Sequence, residues 1–398
     1  MNRFNTIRER LLQTLRGEDP DRVPLQLDGF LYNEVGYPLE YEDGYSTRCH
    51  PPQHPGDRYL YNTSSDIEQE QDPLKREIMH RALEHSHIIL TWPSYHNRYL
   101  VTPPQFIEEQ TSWMDDNTLE ITSVIHTPKG ELTARTYQNE YTIWTDSYPV
   151  NSFEEIEKIR SINWELPPLL EPPHLESMPE DYDQRYILET RVSSPFVCVA
   201  GMMPYQYFLE LCATDLDLLK ELTAVCEERE LALLDVLLKK QNIDIVWMGG
   251  CEWVTPPMAS ETIYEELVQP YEQRIIEKAH QGGALVHVHC HGNIATTLER
   301  IIARGGDFTE PVEPPPDGDI TMHEAKQITD GRIALGGNIE SRILSNESAD
   351  DVKRAVEEAF AGGGDRMVLM PTAYPIDRFT KRMQENYHAL IDTWEQLS

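Results

Sequence analysis

The 398-residue chain is poor in the features that mark small secreted domains, nucleic-acid binders and membrane spans. Its six cysteines, Cys49, Cys198, Cys212, Cys226, Cys251 and Cys290, are scattered and form no CxxC pair. That pattern argues against a disulfide framework and suits reduced thiols. Basic residues are scarce as well: 34 Lys+Arg stand against 68 Asp+Glu, a formal net charge of −34. Long-range repulsion opposes binding to nucleic acid or to an anionic membrane surface, so a polyanionic ligand would need a local basic pocket. No apolar run reaches transmembrane length. The opening Met1-Asn2-Arg3-Phe4-Asn5 leads into a polar periodic segment without an apolar signal core, and a cytoplasmic location is expected. GxGxxG and GxxxxGK[ST] phosphate loops, short internal repeats and low-complexity tracts are missing too.

What is present suits an ordinary globular protein with many loops: 39% hydrophobic residues, 9% aromatic residues and 28 prolines, with a mean hydropathy of −0.52. The length fits two or three average domains or one enlarged α/β barrel. Ile7, Leu11, Leu12 and Leu15 have helical spacing and Gly17 follows as a stop, so a helix is expected before a first strand over Val23–Asp28. Residues 29–73 read as an elaborated loop, 75–89 as a helix, and Leu119–Trp144 as paired strands around the turn Pro128-Lys129-Gly130-Glu131. Residues 153–162 read as helical and 166–179 as a stiff proline-rich connector.

The second half is more regular. Apolar β-rich runs at 195–200, 243–249, 284–290, 333–338 and 366–371 are each followed by helical periodicity, and Phe308–Val312 fills the one long gap. Ser348 and Asp351 have capping-box spacing before the stripe Val352, Val356 and Ala359. Repeated βα units without a nucleotide-binding glycine loop predict an α/β fold, a (β/α)8 TIM barrel carrying an N-terminal helix. The expected organisation is a single barrel over 1–398, with 29–150 as a hairpin-containing excursion over its mouth.

In such a barrel the reacting groups lie at the C-terminal ends of the strands. Here those ends carry Cys251-Glu252, His289-Cys290-His291-Gly292-Asn293, Glu310 and Glu313, Asn338 and Glu340, and Thr372 with Tyr374. In Val286-His287-Val288-His289-Cys290-His291, strand alternation puts the three histidines on one face. Residues two apart on a strand are separated by roughly 6.7 Å, within reach of one ion, whereas His287 and His291 lie about twice as far apart. The outer pair, His289 and His291, is therefore expected to bind a metal. Glu313 is the third candidate, with Cys251 and Glu252 in reserve. The alternative is a set of lumen histidines hydrogen-bonded to neighbouring Glu and Asn side chains. Glu313 has its own alternative, a carboxylate capping the loop of Pro311, Pro314, Pro315 and Pro316. Asn338 is expected to orient substrate or to serve a tight turn. Tyr374 and Asp28 are pocket candidates by position.

These features resemble the uroporphyrinogen decarboxylase superfamily, and more closely its corrinoid-dependent methyltransferase-like branch. Four stretches carry the resemblance: Arg8-Glu9-Arg10-Leu11-Leu12 through Asp21-Arg22-Val23-Pro24, Thr127-Pro128-Lys129-Gly130-Glu131-Leu132, His289-Cys290-His291-Gly292-Asn293-Ile294, and Leu335-Gly336-Gly337-Asn338-Ile339. The resemblance implies zinc held by a His-x-Cys pair and a late cysteine. Here His289 matches the histidine, His291 stands at the cysteine position, and Leu369-Met370-Pro371-Thr372-Ala373 lacks the late cysteine. A set of His289, His291 and an acidic ligand would leave a more Lewis-acidic metal than one held by thiolates.

The function implied is transfer of a methyl group between a small substrate and a corrinoid carried by a separate protein, with Glu313, Asn338 and Asp28 in catalytic positions and Glu252, Cys251 and Tyr374 toward substrate. The chain lacks a corrinoid-binding Asp-x-His-x-x-Gly signature of its own. Metal-free decarboxylation of a tetrapyrrole, using Asp28, is the alternative. The arginine-bearing stretch of true uroporphyrinogen decarboxylases is replaced here by the acidic Asp28-Gly29-Phe30-Leu31-Tyr32-Asn33-Glu34-Val35, which disfavours a polycarboxylate. A third reading is a non-catalytic protein binding a corrinoid or tetrapyrrole.

Overall fold

In the computed structural model, the described residues are 5–27, 30, 32–34, 67–68, 70–91, 99–139, 142–167, 180–362, 364–373, 375 and 378–398. Their strands are β1 (Tyr32–Glu34), β2 (Ile88–Thr91), β3 (Ile107–Trp113), β4 (Leu119–Thr127), β5 (Gly130–Gln138) and β6 (Ile143–Ser147). There follow β7 (Tyr186–Ser193), β8 (Ile245–Gly249), β9 (Leu285–His289), β10 (Phe308–Val312), β11 (Ala334–Ile339) and β12 (Met367–Pro371).

Eight of these strands form one sheet in the order β1-β2-β7-β8-β9-β10-β11-β12, with every neighbouring pair parallel. The sheet curls until its ends meet. Leu25 bridges in parallel both to Ser86, just before β2, and to Leu369 in β12. The Gln26 amide donates to the Leu369 carbonyl at 3.0 Å, and the Leu369 amide donates to that of Pro24 at 2.9 Å. The α/β, TIM-barrel-like architecture expected from the alternation is therefore present. The anticipated first strand is reduced among its described residues to the bridge at Leu25, and Asp28 lies outside them.

Two buried clusters fix which way each strand residue faces. The helix Ile7–Arg16 starts with a capping box between Thr6 and Glu9 and stops at Gly17, whose φ of 75° is left-handed and costs glycine little. Its Leu11, Leu12 and Leu15 pack on Ile187, Ile245, Phe308, Ala334, Val368 and Met370, with Leu285 at the margin. Most of those strand residues stand at or near the N-terminal ends of their strands, so the helix floors the barrel there. Val286 and Val288 belong instead to the larger core shared with the helices. With Leu285 facing the floor and the valines facing outward, period-two alternation turns His287 and His289 into the lumen.

Strands β3 to β6 form a separate antiparallel sheet in sequential order. The expected hairpin is there, its register running to Thr127 opposite Gly130. Ile125 and Leu132 pack in the same core as Ile156 and Ile159 of the helix Phe153–Arg160.

Two segments differ from the expected pattern. The apolar run 195–200 is not a strand: Val197–Ala200 is a short helix, and the strand is the preceding β7. All of Pro195–Ala200 is buried, and a short run apolar on every side carries no period to separate helix from strand. The helix expected over 75–89 ends at His85, and the next residues form β2.

Candidate metal centre

The lumen acquires its chemistry on the middle strands. Parallel register sets Trp247 beside His287 and Gly249 beside His289, while Phe308 lies beside His287 and Glu310 beside His289. Two imidazoles of one strand therefore face one carboxylate of the next. Nε2 of His287 lies 2.8 Å from Oε1 of Glu310, and Nδ1 of His289 lies 2.6 Å from the same oxygen. One ligand atom from each residue falls within 4.8 Å of the others. Side-chain exposure is 6% for His287 and Glu310 and 21% for His289, so the group is screened from bulk water yet open on the His289 side.

Burial alone would hold His289 neutral and Glu310 protonated, because a low dielectric disfavours both charged forms. Their mutual attraction and hydrogen bond reverse both tendencies. Against the burial effect, the Glu310 charge and hydrogen bond push the His289 imidazole up to about 9. Against its own burial, the His289 charge and the bonds from both histidines hold Glu310 well below the usual carboxylate range. His87 lies near enough to feel the His287 charge: it is buried, finds no hydrogen-bond partner at either ring nitrogen among the described residues, and is pushed down to about 3 by burial and then by the charge of His287.

Packing holds these groups in place. The Trp247 ring lies 5.2 Å from that of His289, and the Arg191 guanidinium caps Trp247 at 4.6 Å while donating to Glu189 at 2.9 Å. The Phe308 ring supports His287 at 4.5 Å. Glycine at 336 leaves the room required: a Cβ there would stand 2.6 Å from Cζ of Phe308 and 2.7 Å from Cβ of Glu310.

The expected ligand set is divided by this arrangement. His289 joins His287 and Glu310, whereas Nδ1 of His291 lies 3.1 Å from Oε1 of Glu313, whose other oxygen accepts from the Gly292 amide at 2.7 Å. Among the described residues, His289, His291 and Glu313 do not form a convergent three-ligand group. The physical reason is that β9 ends at His289 and β10 at Val312. His291 and Glu313 belong to the following loops, and the β10–β11 register shifts between Thr309 and Val312. Glu313 thus links the segments that follow β9 and β10. The His291 ring remains near, edge-on to His289 at 4.6 Å.

Cys251 and Glu252 are brought together with Cys290, and the Glu252 charge also acts on His289. Oδ1 of Asn338 is buried without a hydrogen-bond partner among the described residues. Tyr374, like Asp28, lies outside the described residues. His287 and Glu310 were named in the sequence reading but not chosen as ligands. A usable signal existed, since Phe308 and Glu310 alternate as Leu285, His287 and His289 do, so an inward acid on the neighbouring strand was available at the same height.

Residues 141–393 match the family described as Uroporphyrinogen decarboxylase (URO-D), and the chain belongs to that family. Among solved structures, a methyltransferase from Methanosarcina mazei is 14% identical, with 98% of this chain and 99% of that chain covered and a TM-score of 0.58. At that identity the likeness shows the shared fold. A B12-independent methionine synthase from Shewanella sp. W3-18-1 is 11% identical over 94% of this chain and 97% of its own, with a TM-score of 0.40. No curated protein sequence matches the chain significantly. Among the described residues, no helix is long and apolar enough to cross a membrane.

Proposed function

We propose that the chain is a metal-dependent methyltransferase or demethylase that moves a methyl group between a small substrate and a corrinoid carried by a partner protein. The observation that carries this reading is the convergence of His287, His289 and Glu310 at the lumen. Two imidazoles and a carboxylate make a donor set suited to a catalytic zinc ion, which typically has three protein ligands and an open position. The fit is chemical and steric, because the three donors already approach one another and exchange only hydrogen bonds. When bound there, zinc supplies Lewis acidity to a substrate heteroatom and lowers the pKa of a group at its open position.

The protein residues supply the rest. Glu310 holds both imidazoles toward one point, and Trp247 and Phe308 fix the rings against rotation. Asn338 offers an unsatisfied buried carbonyl oxygen to a donor on the substrate, a specificity contact whose loss leaves a polar group unpaired. Glu252 is near enough for its charge to act on the His289 ring, and Cys251 packs behind it against the His289 backbone carbonyl. The reading relies on a single barrel over 1–398; within the expected 29–150 excursion, β1 and β2 belong to the barrel sheet itself, and only the separate β3–β6 sheet stands apart from it.

The charge of the lumen favours methyl transfer over decarboxylation of a tetrapyrrole. Glu310, beside the last residue of β9, and Glu252 and Glu313, in the segments after β8 and β10, put negative charge at the strand ends, and Arg191 is already engaged by Glu189 at 2.9 Å. A substrate carrying many carboxylates would meet repulsion there. The discriminating experiment is incubation of zinc-loaded protein with a methylated corrinoid protein and candidate thiol, amine or alcohol acceptors, following demethylation by visible absorption. Metal-stripped protein that decarboxylates uroporphyrinogen would favour the decarboxylase reading.

A further inference from the structure

A second group of side chains whose ligand atoms could hold a metal lies on the far side of β9 from the imidazoles. Cys251 follows β8, Cys290 follows β9, and their sulfur atoms lie with a carboxylate oxygen of Glu252 within 4.8 Å of one another. The strands place them so because β8 and β9 run side by side, with Gly249 beside His289. Cys290 therefore stands just past the paired register and points away from the face carrying His289 and His291.

The surroundings orient both thiols. Sγ of Cys251 lies 3.8 Å from the His289 carbonyl. Thr255 Oγ1 lies 3.8 Å from Sγ of Cys290 and donates to the Cys251 carbonyl at 3.0 Å. The thiols are 1% and 0% exposed while Glu252 is partly exposed, which leaves an entry on the carboxylate side. Behind them, Glu272 and Arg304 form a buried ion pair at 2.7 Å.

We propose that Cys251, Cys290 and Glu252 form a second metal site, separate from His287, His289 and Glu310, that takes a thiophilic divalent cation. Two sulfurs and one oxygen favour a soft or borderline ion such as zinc or cadmium over magnesium or calcium. Binding forms two metal–sulfur bonds and one metal–oxygen bond. Each thiol loses its proton to solvent as its bond forms, with no change of oxidation state. The proposal is independent of the methyl-transfer reading, since it stands whether or not the imidazole group binds metal.

The test is a titration of the reduced, full-length protein with cadmium chloride without oxygen, following thiolate-to-cadmium charge-transfer absorption in the ultraviolet. The expected result is saturation at one thiolate-bound cadmium per chain. It should be retained in His287→Ala/His289→Ala and lost in Cys251→Ser/Cys290→Ser. Should the cysteine variant fold poorly, X-ray absorption of the wild-type cadmium complex gives the second readout, with two sulfur neighbours and at least one oxygen expected. Absence of the band in reduced wild-type protein, a band unchanged in a folded cysteine variant, or cadmium with only nitrogen and oxygen neighbours would overturn the site.

Discussion

Nδ1 of His289 and Oε1 of Glu310 meet at 2.6 Å across two neighbouring parallel strands. The carboxylate is buried and shared with His287, so removing it leaves two lumen imidazoles without their common partner. Breaking one side of a buried charged pair typically costs about 3–5 kcal/mol. Glu310→Ala is expected to lower unfolding free energy by that order. Glu310→Gln, which retains shape and one acceptor, should cost less while still weakening zinc binding. Denaturant titration with the zinc content of both variants checks this; full metal retention in a folded Glu310→Gln protein counts against the ligand assignment.

The imidazolium character of His289 gives a second expectation. With its pKa near 9, His289 carries a proton at neutral pH before metal arrives. Coordination requires the neutral ring, so zinc must expel that proton. Calorimetry in buffers of different ionisation enthalpy should show about one proton released per zinc at pH 7.5. Release should be strongly reduced in His289→Ala.

His87 makes the fold sensitive to mild acid. Its folded pKa of about 3 lies below the ordinary histidine value of 6.5. The unfolded chain therefore binds the extra proton first, and stability falls as pH drops from about 6.5 toward 3. At pH 5 this corresponds to about 2 kcal/mol. In His87→Leu the loss of stability between pH 7 and pH 5 should shrink by that order; equal acid slopes would place the sensitivity elsewhere.

Gly336 is required by space. Alanine would drive its methyl carbon against Phe308 and Glu310, and overpacking of this kind costs about 1–3 kcal/mol. Gly336→Ala is expected to bind zinc more weakly through displacement of Glu310, a change that a thermal melt and a zinc titration together resolve.

Asn338 separates binding from folding. Because its Oδ1 has no partner in the described protein, Asn338→Ala should leave the melting temperature nearly unchanged. Loss of one substrate hydrogen bond of about 1–3 kcal/mol would lower kcat/KM by roughly 5- to 150-fold.

Much of the barrel was legible because its strands alternate with helices and some of its caps and turns use ordinary local chemistry: Ser348 with Asp351, and the turn around Gly130. The histidine strand was legible as a strand with its imidazoles on one face. What escaped the sequence was how far the strand extends. Alternation gives His287, His289 and His291 equal standing, but pairing stops at His289, so the third ring passes to loop geometry and to Glu313. Glu310 stood among the strand-end acids, but sequence alone did not rank it above Glu313, because the register shift after Thr309 leaves open which acid faces inward. Cys251 and Cys290 lie 39 positions apart, and only the adjacency of β8 and β9 brings them together.

The most direct measurement is metal content by elemental analysis after equilibration with limiting zinc and removal of free metal, with Cys251→Ser/Cys290→Ser as background so that only the imidazole group is counted. In that background about one zinc per chain should remain. It should persist in added His291→Ala and disappear in added His287→Ala/His289→Ala. Zinc that survives loss of His287 and His289, or disappears with His291 alone, would contradict the account.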